Sequence, residues 1–150
     1  IEWKVPYEPG RLVARGFKDG EVICEKIIET TGLPAKIAMQ PDRKTIAADG
    51  QDLSFVRISV KDSQGRFVPT ADNNITVNVT GEGHLLGLCS SDPASHEDPK
   101  GKEMRVFNGL LLAIIQSNGT PGEIKVAADS GALTSDEITI YTEPIDALTK

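Results

Sequence analysis

The sequence predicts an all-β fold: a β-sandwich preceded by a partial β-module of a hairpin or three strands. Two observations carry this expectation. Valine, isoleucine and threonine make up 35 of the 150 residues, and Gly and Pro add 23, which suits many short strands joined by turns. From about residue 36 to 142 the sequence offers about seven strands at spacings of roughly 8–12 residues, the pattern of a sandwich. No heptad, helical face or low-complexity tract competes with it. A chain of 150 residues suits one domain, or one domain and part of another, and builds a core without metals or disulfides.

The first 34 residues read as short extended segments. Trp3-Lys4-Val5-Pro6-Tyr7 is extended, and Glu8-Pro9-Gly10 turns the chain. Leu12–Phe17 and Glu21–Thr30 flank Lys18-Asp19-Gly20, and Asp-Gly is a strong hairpin signal. Three strands in about 30 residues cannot enclose a core of their own. Residues 1–33 therefore read as the closing strands of a truncated preceding domain, with Thr31-Gly32-Leu33-Pro34 as linker. Strands left open in this way seek edge partners, so a dimer through residues 1–33 is expected too. Ile1 opens the chain with neither an initiator Met nor a signal peptide, which reads as a piece of a longer protein.

Residues 34–142 read as the complete domain. Val56, Ile58 and Val60 alternate with Phe55, Arg57 and Ser59, which puts the aliphatics on one face and turns Phe55 to the other. Asp62-Ser63-Gln64-Gly65 is a turn, Ile75–Thr80 repeats the alternation up to Gly81-Glu82-Gly83, and Leu85–Leu88 follows. Phe107–Gln116 is apolar at nearly every position, as expected of a central strand covered on both faces. Ser117-Asn118-Gly119-Thr120-Pro121-Gly122 turns the chain into Glu123–Ala128, and Asp136–Tyr141 closes the pattern. Residues 143–150 are expected to be a polar tail.

Sixteen basic residues against 22 acidic ones give a net charge of −6, which excludes a counterion-displacing nucleic-acid surface. No apolar run approaches the ~20 residues of a membrane-spanning helix. Cys24 and Cys89 fall in the two different segments, so two unpaired, buried thiols are expected rather than a disulfide. Three Asn-x-Ser/Thr triplets begin at Asn74, Asn78 and Asn118 and matter only in a host that glycosylates.

Catalytic motifs are absent. There is no P-loop, no dinucleotide-binding glycine pattern, no nucleophile elbow and no Cys-x-x-Cys. His96-Glu97 has Lys100 where a second zinc-binding histidine would stand, and His84 is the only other histidine. No cofactor and no metal are expected. The densest polar cluster is Ser90–Pro99. Asp92, Ser95, His96 and Glu97 there are candidates for hydrogen bonds with sugar hydroxyls, for holding a cation through carboxylate oxygens, or, with the greater weight, for bracing their own loop through Asx and Ser turns. Asp19, Asp42, Asp49, Asp52, Asp62 and Asp72 sit at turns and on solvent faces, which suits turn formation better than a facing catalytic pair. Trp3 and Tyr7 are expected to pack against the missing part of their truncated domain rather than on a sugar. Phe55 is the candidate for sugar stacking.

Several motifs, taken in order, resemble a known family. Val5-Pro6-Tyr7-Glu8-Pro9-Gly10, with Leu12, Ala14 and Lys18-Asp19-Gly20, resembles the end of an immunoglobulin-like module of glycoside hydrolase family 2 β-galactosidases. Ala48-Asp49-Gly50-Gln51-Asp52-Leu53-Ser54-Phe55-Val56 resembles the opening of their next, C-terminal immunoglobulin-like domain. Similar domains occur in intimins and invasins. Val68–Asn73, Asp92–Glu97, Phe107-Asn108-Gly109 and Gln116-Ser117 continue the match, although Leu88-Cys89-Ser90-Ser91 stands where a Gly/Asn-rich turn is expected.

The resemblance implies an immunoglobulin-like β-sandwich and a catalytically silent accessory domain. The family's two catalytic glutamates lie on an upstream (β/α)₈ barrel, and this chain has no Asn-Glu dipeptide of the kind that carries the acid/base. The parent is expected to be a bacterial, periplasmic or secreted enzyme that hydrolyses terminal β-galactosides by the retaining route. Its upstream domains are the expected partners, with carbohydrate as a further one. The competing readings are a self-standing carbohydrate-binding module and an adhesin spacer.

Overall fold

The computed structural model describes residues 2–145. Ile1 and residues 146–150 of the expected polar tail lie outside the described residues. The chain divides into two compact units, Ile1–Thr31 and Gly32–Lys150.

The first unit is an antiparallel hairpin of β1 (Arg11–Lys18) and β2 (Glu21–Glu29). Asp19 and Gly20 both have positive φ, 54° and 87°, the backbone that a two-residue turn between right-twisted strands needs. The register pairs Arg11 with Glu29 and Arg15 with Glu25 on one face, and both pairs are ion pairs, at 3.6 and 2.5 Å. The other face pairs Leu12 with Ile28 and Gly16 with Cys24. Residues 3–7, expected as a third strand, join no ladder. Pro6 has no N–H to give one, and Trp3 and Tyr7 are exposed in this chain.

The second unit has two sheets. A four-stranded one runs β3 (Lys36–Pro41), β5 (Leu53–Lys61), β9 (Leu110–Ser117), β7 (Gly83–Cys89). A five-stranded one runs β4 (Thr45–Ala47), β11 (Asp136–Glu143), β10 (Gly122–Asp129), β6 (Asn74–Gly81), β8 (Glu103–Arg105). Pairing is antiparallel throughout, except that β4 runs parallel to β11. The inward positions of both sheets meet in one core: Val56, Ile58 and Val60 from β5, Ala113 and Ile115 from β9, Ile75 and Val77 from β6, and Ile124 and Val126 from β10 are all fully buried. These residues, nearly all β-branched, fill a pleated interface with little help from aromatic rings.

The structure corrects three further expectations. The described residues of this unit form nine strands rather than about seven, because β4 and β8 have three residues each and are too short to show a period. Phe107–Gln116 is not one strand covered on both faces. Phe107 and Leu110 exchange backbone hydrogen bonds of 2.9 and 3.0 Å around Asn108 and Gly109, whose φ values are 50° and 75°. The strand starts only at Leu110, and it buries Leu111, Ala113, Ile115 and Ser117 while leaving the alternate positions more open. Its sheet is antiparallel and has an uncovered outer side within this unit. Finally, Cys24 and Cys89 are free but exposed rather than buried. Strand alternation turns Cys89 outward, next to the inward Leu88.

Gly109 must also lack a side chain, since a Cβ there would lie 2.2 Å from the carbonyl oxygen of Val68. Gly131 has a φ of 65° and open space around it. Gly131→Ala is expected to cost about 1 kcal/mol through backbone strain alone. Gly109→Ala is expected to cost clearly more, because a backbone carbonyl must also move. Urea unfolding of the two variants beside the parent chain measures the difference.

Candidate functional site

At one end of the sandwich three connections converge: the segment from β5 to β6, the loop after β7, and the turn from β8 to β9. Backbone bonds tie two of them together, with Val106 N–H donating to Asn73 at 3.0 Å and Gly109 N–H to Ala71 at 3.0 Å. Between the three lies an open pocket of about 270 Å³, lined among others by Pro69, Asp72, Asp92, Arg105, Phe107 and Asn108. Met104 and Val106 are buried at 4% and 1% exposure, so the alternation of β8 turns Arg105 outward.

Asp92 is thus at the pocket, and its Oδ1 also accepts from the Ala94 N–H at 2.9 Å. Ser95 and Glu97 hold the loop that follows. Ser95 Oγ donates to Glu97 Oε2 at 2.9 Å, and Glu97 Oε1 accepts from the Arg105 N–H at 3.0 Å. His96 is exposed and makes no hydrogen bond among the described residues. Phe55 is elsewhere: it is 39% exposed on the outer face of β5, paired with Ile114 of β9.

Arg105 belongs to none of the motifs in the sequence, where Asp72 reads as a turn acid and Phe107 as a strand aromatic. The alternation Met104-Arg105-Val106 is the one local signal for Arg105. Two carboxylates, a guanidinium and an aromatic ring form a site that can hydrogen-bond and stack against a hydroxylated ligand. No group of three His, Cys, Asp or Glu residues able to hold a metal occurs among the described residues.

The carboxylates with displaced pKa values lie outside this pocket and serve the backbone. Asp62 is fully buried. It accepts from the N–H groups of Gly32, Gln64 and Arg66, each at 2.9 Å, and from Arg66 Nε at 2.8 Å. These donors, that of Gly32 foremost, hold it far below the usual carboxylate range. Asp52 is lowered chiefly by the Arg43 guanidinium, 2.7 Å away, and Arg43 is raised in turn. Asp49 is lowered by accepting from the N–H groups of Asp52 and Gln51 at 2.7 and 2.8 Å.

A carboxylate with a depressed folded pKa stabilises the fold above its unfolded value, near 3.9, and loses that contribution as pH falls through the folded value. The unfolding free energy is therefore expected to fall on acidification below about pH 4. Asp62→Asn should flatten this dependence, which urea titrations at a series of pH values would read.

Comparison with known proteins places these features in context. The glycoside hydrolase family 2 C-terminal domain 5 model matches residues 37–139, and a domain of unknown function, DUF4982, matches residues 1–24. The β-galactosidase BoGH2A of Bacteroides ovatus is 37% identical over 145 residues, which is 97% of this chain and 17% of that protein. A β-galactosidase of Thermoanaerobacter pseudethanolicus is 28% identical over 135 residues, 89% of this chain and 16% of that protein. A solved glycosyl hydrolase family 2 member from Bacteroides cellulosilyticus superposes with a TM-score of 0.86 at 30% identity, covering 94% of this chain and 18% of that one. The chain thus spans under a fifth of the length of these relatives.

Proposed function

The chain belongs to the glycoside hydrolase family 2 C-terminal domain 5 family, and from that premise we propose that it is the non-catalytic accessory region of a β-galactosidase. The observation that carries this is the 37% identity across 97% of the chain to 17% of such an enzyme. The whole protein would hydrolyse terminal β-galactosides with two glutamates held elsewhere, one as acid/base and one as nucleophile. Within this chain the acids are spent on turns, as the bonds of Asp49, Asp52 and Asp62 illustrate.

Residues 1–33 are read as the closing strands of a preceding immunoglobulin-like domain, and residues 34–142 as the complete C-terminal one. The separate family match over residues 1–24 supports this reading. So do the exposed Leu12, Phe17, Ile23 and Ile28 on a two-stranded ribbon, which is not stable alone. In the isolated chain that ribbon is where two copies would pair. The pocket at Asp72, Asp92, Arg105 and Phe107 is the place for a contact with carbohydrate at a cleft rim. The family reading also carries a periplasmic or secreted location.

Purified 150-residue chain is expected to release no chromophore from a nitrophenyl β-galactoside, whereas the whole polypeptide is expected to turn it over. Turnover by the chain itself would overturn the accessory reading. Inactivity of the whole polypeptide toward β-galactosides would overturn the assignment of its substrate.

A further inference from the structure

The two sheets of the sandwich differ on their outer sides. On the five-stranded sheet the outward positions are mostly polar: Thr76, Asn78 and Thr80 on β6, Glu123 and Lys125 on β10, Glu137 and Thr139 on β11, with Ala127 and Tyr141 as the apolar exceptions on β10 and β11. On the four-stranded sheet an apolar patch crosses three adjacent strands. Phe55 pairs with Ile114, and Leu112 and Leu110 follow at successive two-residue steps along β9. A bulge in β7 between Leu85 and Gly87 adds Leu86 beside Ile114. Phe55, Leu86 and Leu110 are each about 40% exposed. A single exposed leucine needs no explanation, but a contiguous patch on one face of a sheet marks an interaction surface.

The charge on this face narrows the partner. The outward positions of β3 and β5 carry Lys36, Arg57 and Lys61, and the outward positions of the four strands carry no carboxylate. This is a cationic border on a chain of net charge −6. A two-fold dimer through the face would offer these cations no acidic partner, since the face carries no carboxylate, and electrostatic complementarity disfavours it. Pairing of this face with a different face of a second copy would not close and would propagate. A domain of the same polypeptide meets neither objection and acts at an effective concentration in the millimolar range. The relatives carry more than four fifths of their length outside the matched region.

We propose that the outer face of β3-β5-β9-β7 is the docking face for another domain of the same polypeptide, one whose surface is apolar at the centre and acidic at the rim. The proposal rests on the accessory reading above. Cys89 is an exposed thiol on this face, paired with Leu112, and so serves as a probe.

Alkylation of Cys89 by N-ethylmaleimide, followed by peptide mass spectrometry, is expected to run at least about tenfold slower in the whole polypeptide than in the 150-residue chain. Arg57→Glu and Leu112→Glu in the whole polypeptide should restore much of the rate, with amide exchange at Val56–Val60 unchanged to show an intact core. Equal rates in chain and whole polypeptide would overturn the docking face. Protection in the isolated chain that grows with its concentration would assign the face to a second copy and overturn the proposed occupant. The labelling does not depend on catalysis, so it fails separately from the accessory reading, which galactoside turnover by the chain alone would sink.

Discussion

Chain reversals at the ends of a sandwich leave backbone N–H groups outside the ladders, and each must find an acceptor or bear the cost of desolvation. In this protein aspartate carboxylates accept from them. Asp42 takes the N–H of Phe55, Asp49 those of Gln51 and Asp52, and Asp52 those of Ala47 and Leu53. Asp62 takes three, and Asp92, Asp98 and Asp129 each close a turn two residues on. The sheets supply the core, but the loops hold their paths because these acceptors are fixed. The same bonds give a structural use to many of the acids of this acidic chain.

The motifs behind the family resemblance acquire a physical meaning from this arrangement. Ala48–Val56 and Gln116-Ser117 meet at one end, where the Gly50 N–H donates to Ser117 Oγ and Gln116 Nε2 to the Gly50 carbonyl, both at 3.2 Å. Val68–Asn73 and Phe107–Gly109 meet at the other, through the bonds of Gly109 to Ala71 and Val106 to Asn73, and Asp92 joins them at the pocket. Segments far apart in sequence thus close the two ends. The ordered motif identifies a fold that needs those closures.

How legible each part is in the sequence follows from how local its cause is. The alternation of Val56, Ile58 and Val60 and the Asp19-Gly20 turn are set within a few residues, and both read directly. Phe107-Asn108-Gly109 is obscured because an apolar residue precedes the turn and an apolar strand follows it, so the Asn-Gly signal is absorbed into the run. The three-residue β4 and β8 owe their pairing wholly to strands brought alongside them, β11 and β6. The pocket is the extreme case. Asp72, Asp92 and Arg105–Phe107 are separated by long stretches of chain, and no spacing rule joins them before the sandwich has formed.

The asymmetry of the two outer faces then bears on what such a domain contributes. A sandwich that stood free in water would gain solubility from polar residues on both outer sides, as β6 and β10 already show on one. Retaining Phe55, Leu110, Leu112 and Ile114 on the other side is costly in water and favourable under cover. The polar pocket and the apolar sheet face are also different kinds of surface. Hydroxylated ligands suit the first, with its carboxylates and guanidinium, and a protein surface suits the second. A domain built this way works by being held in place, with its rigid ends fixing where the pocket residues stand.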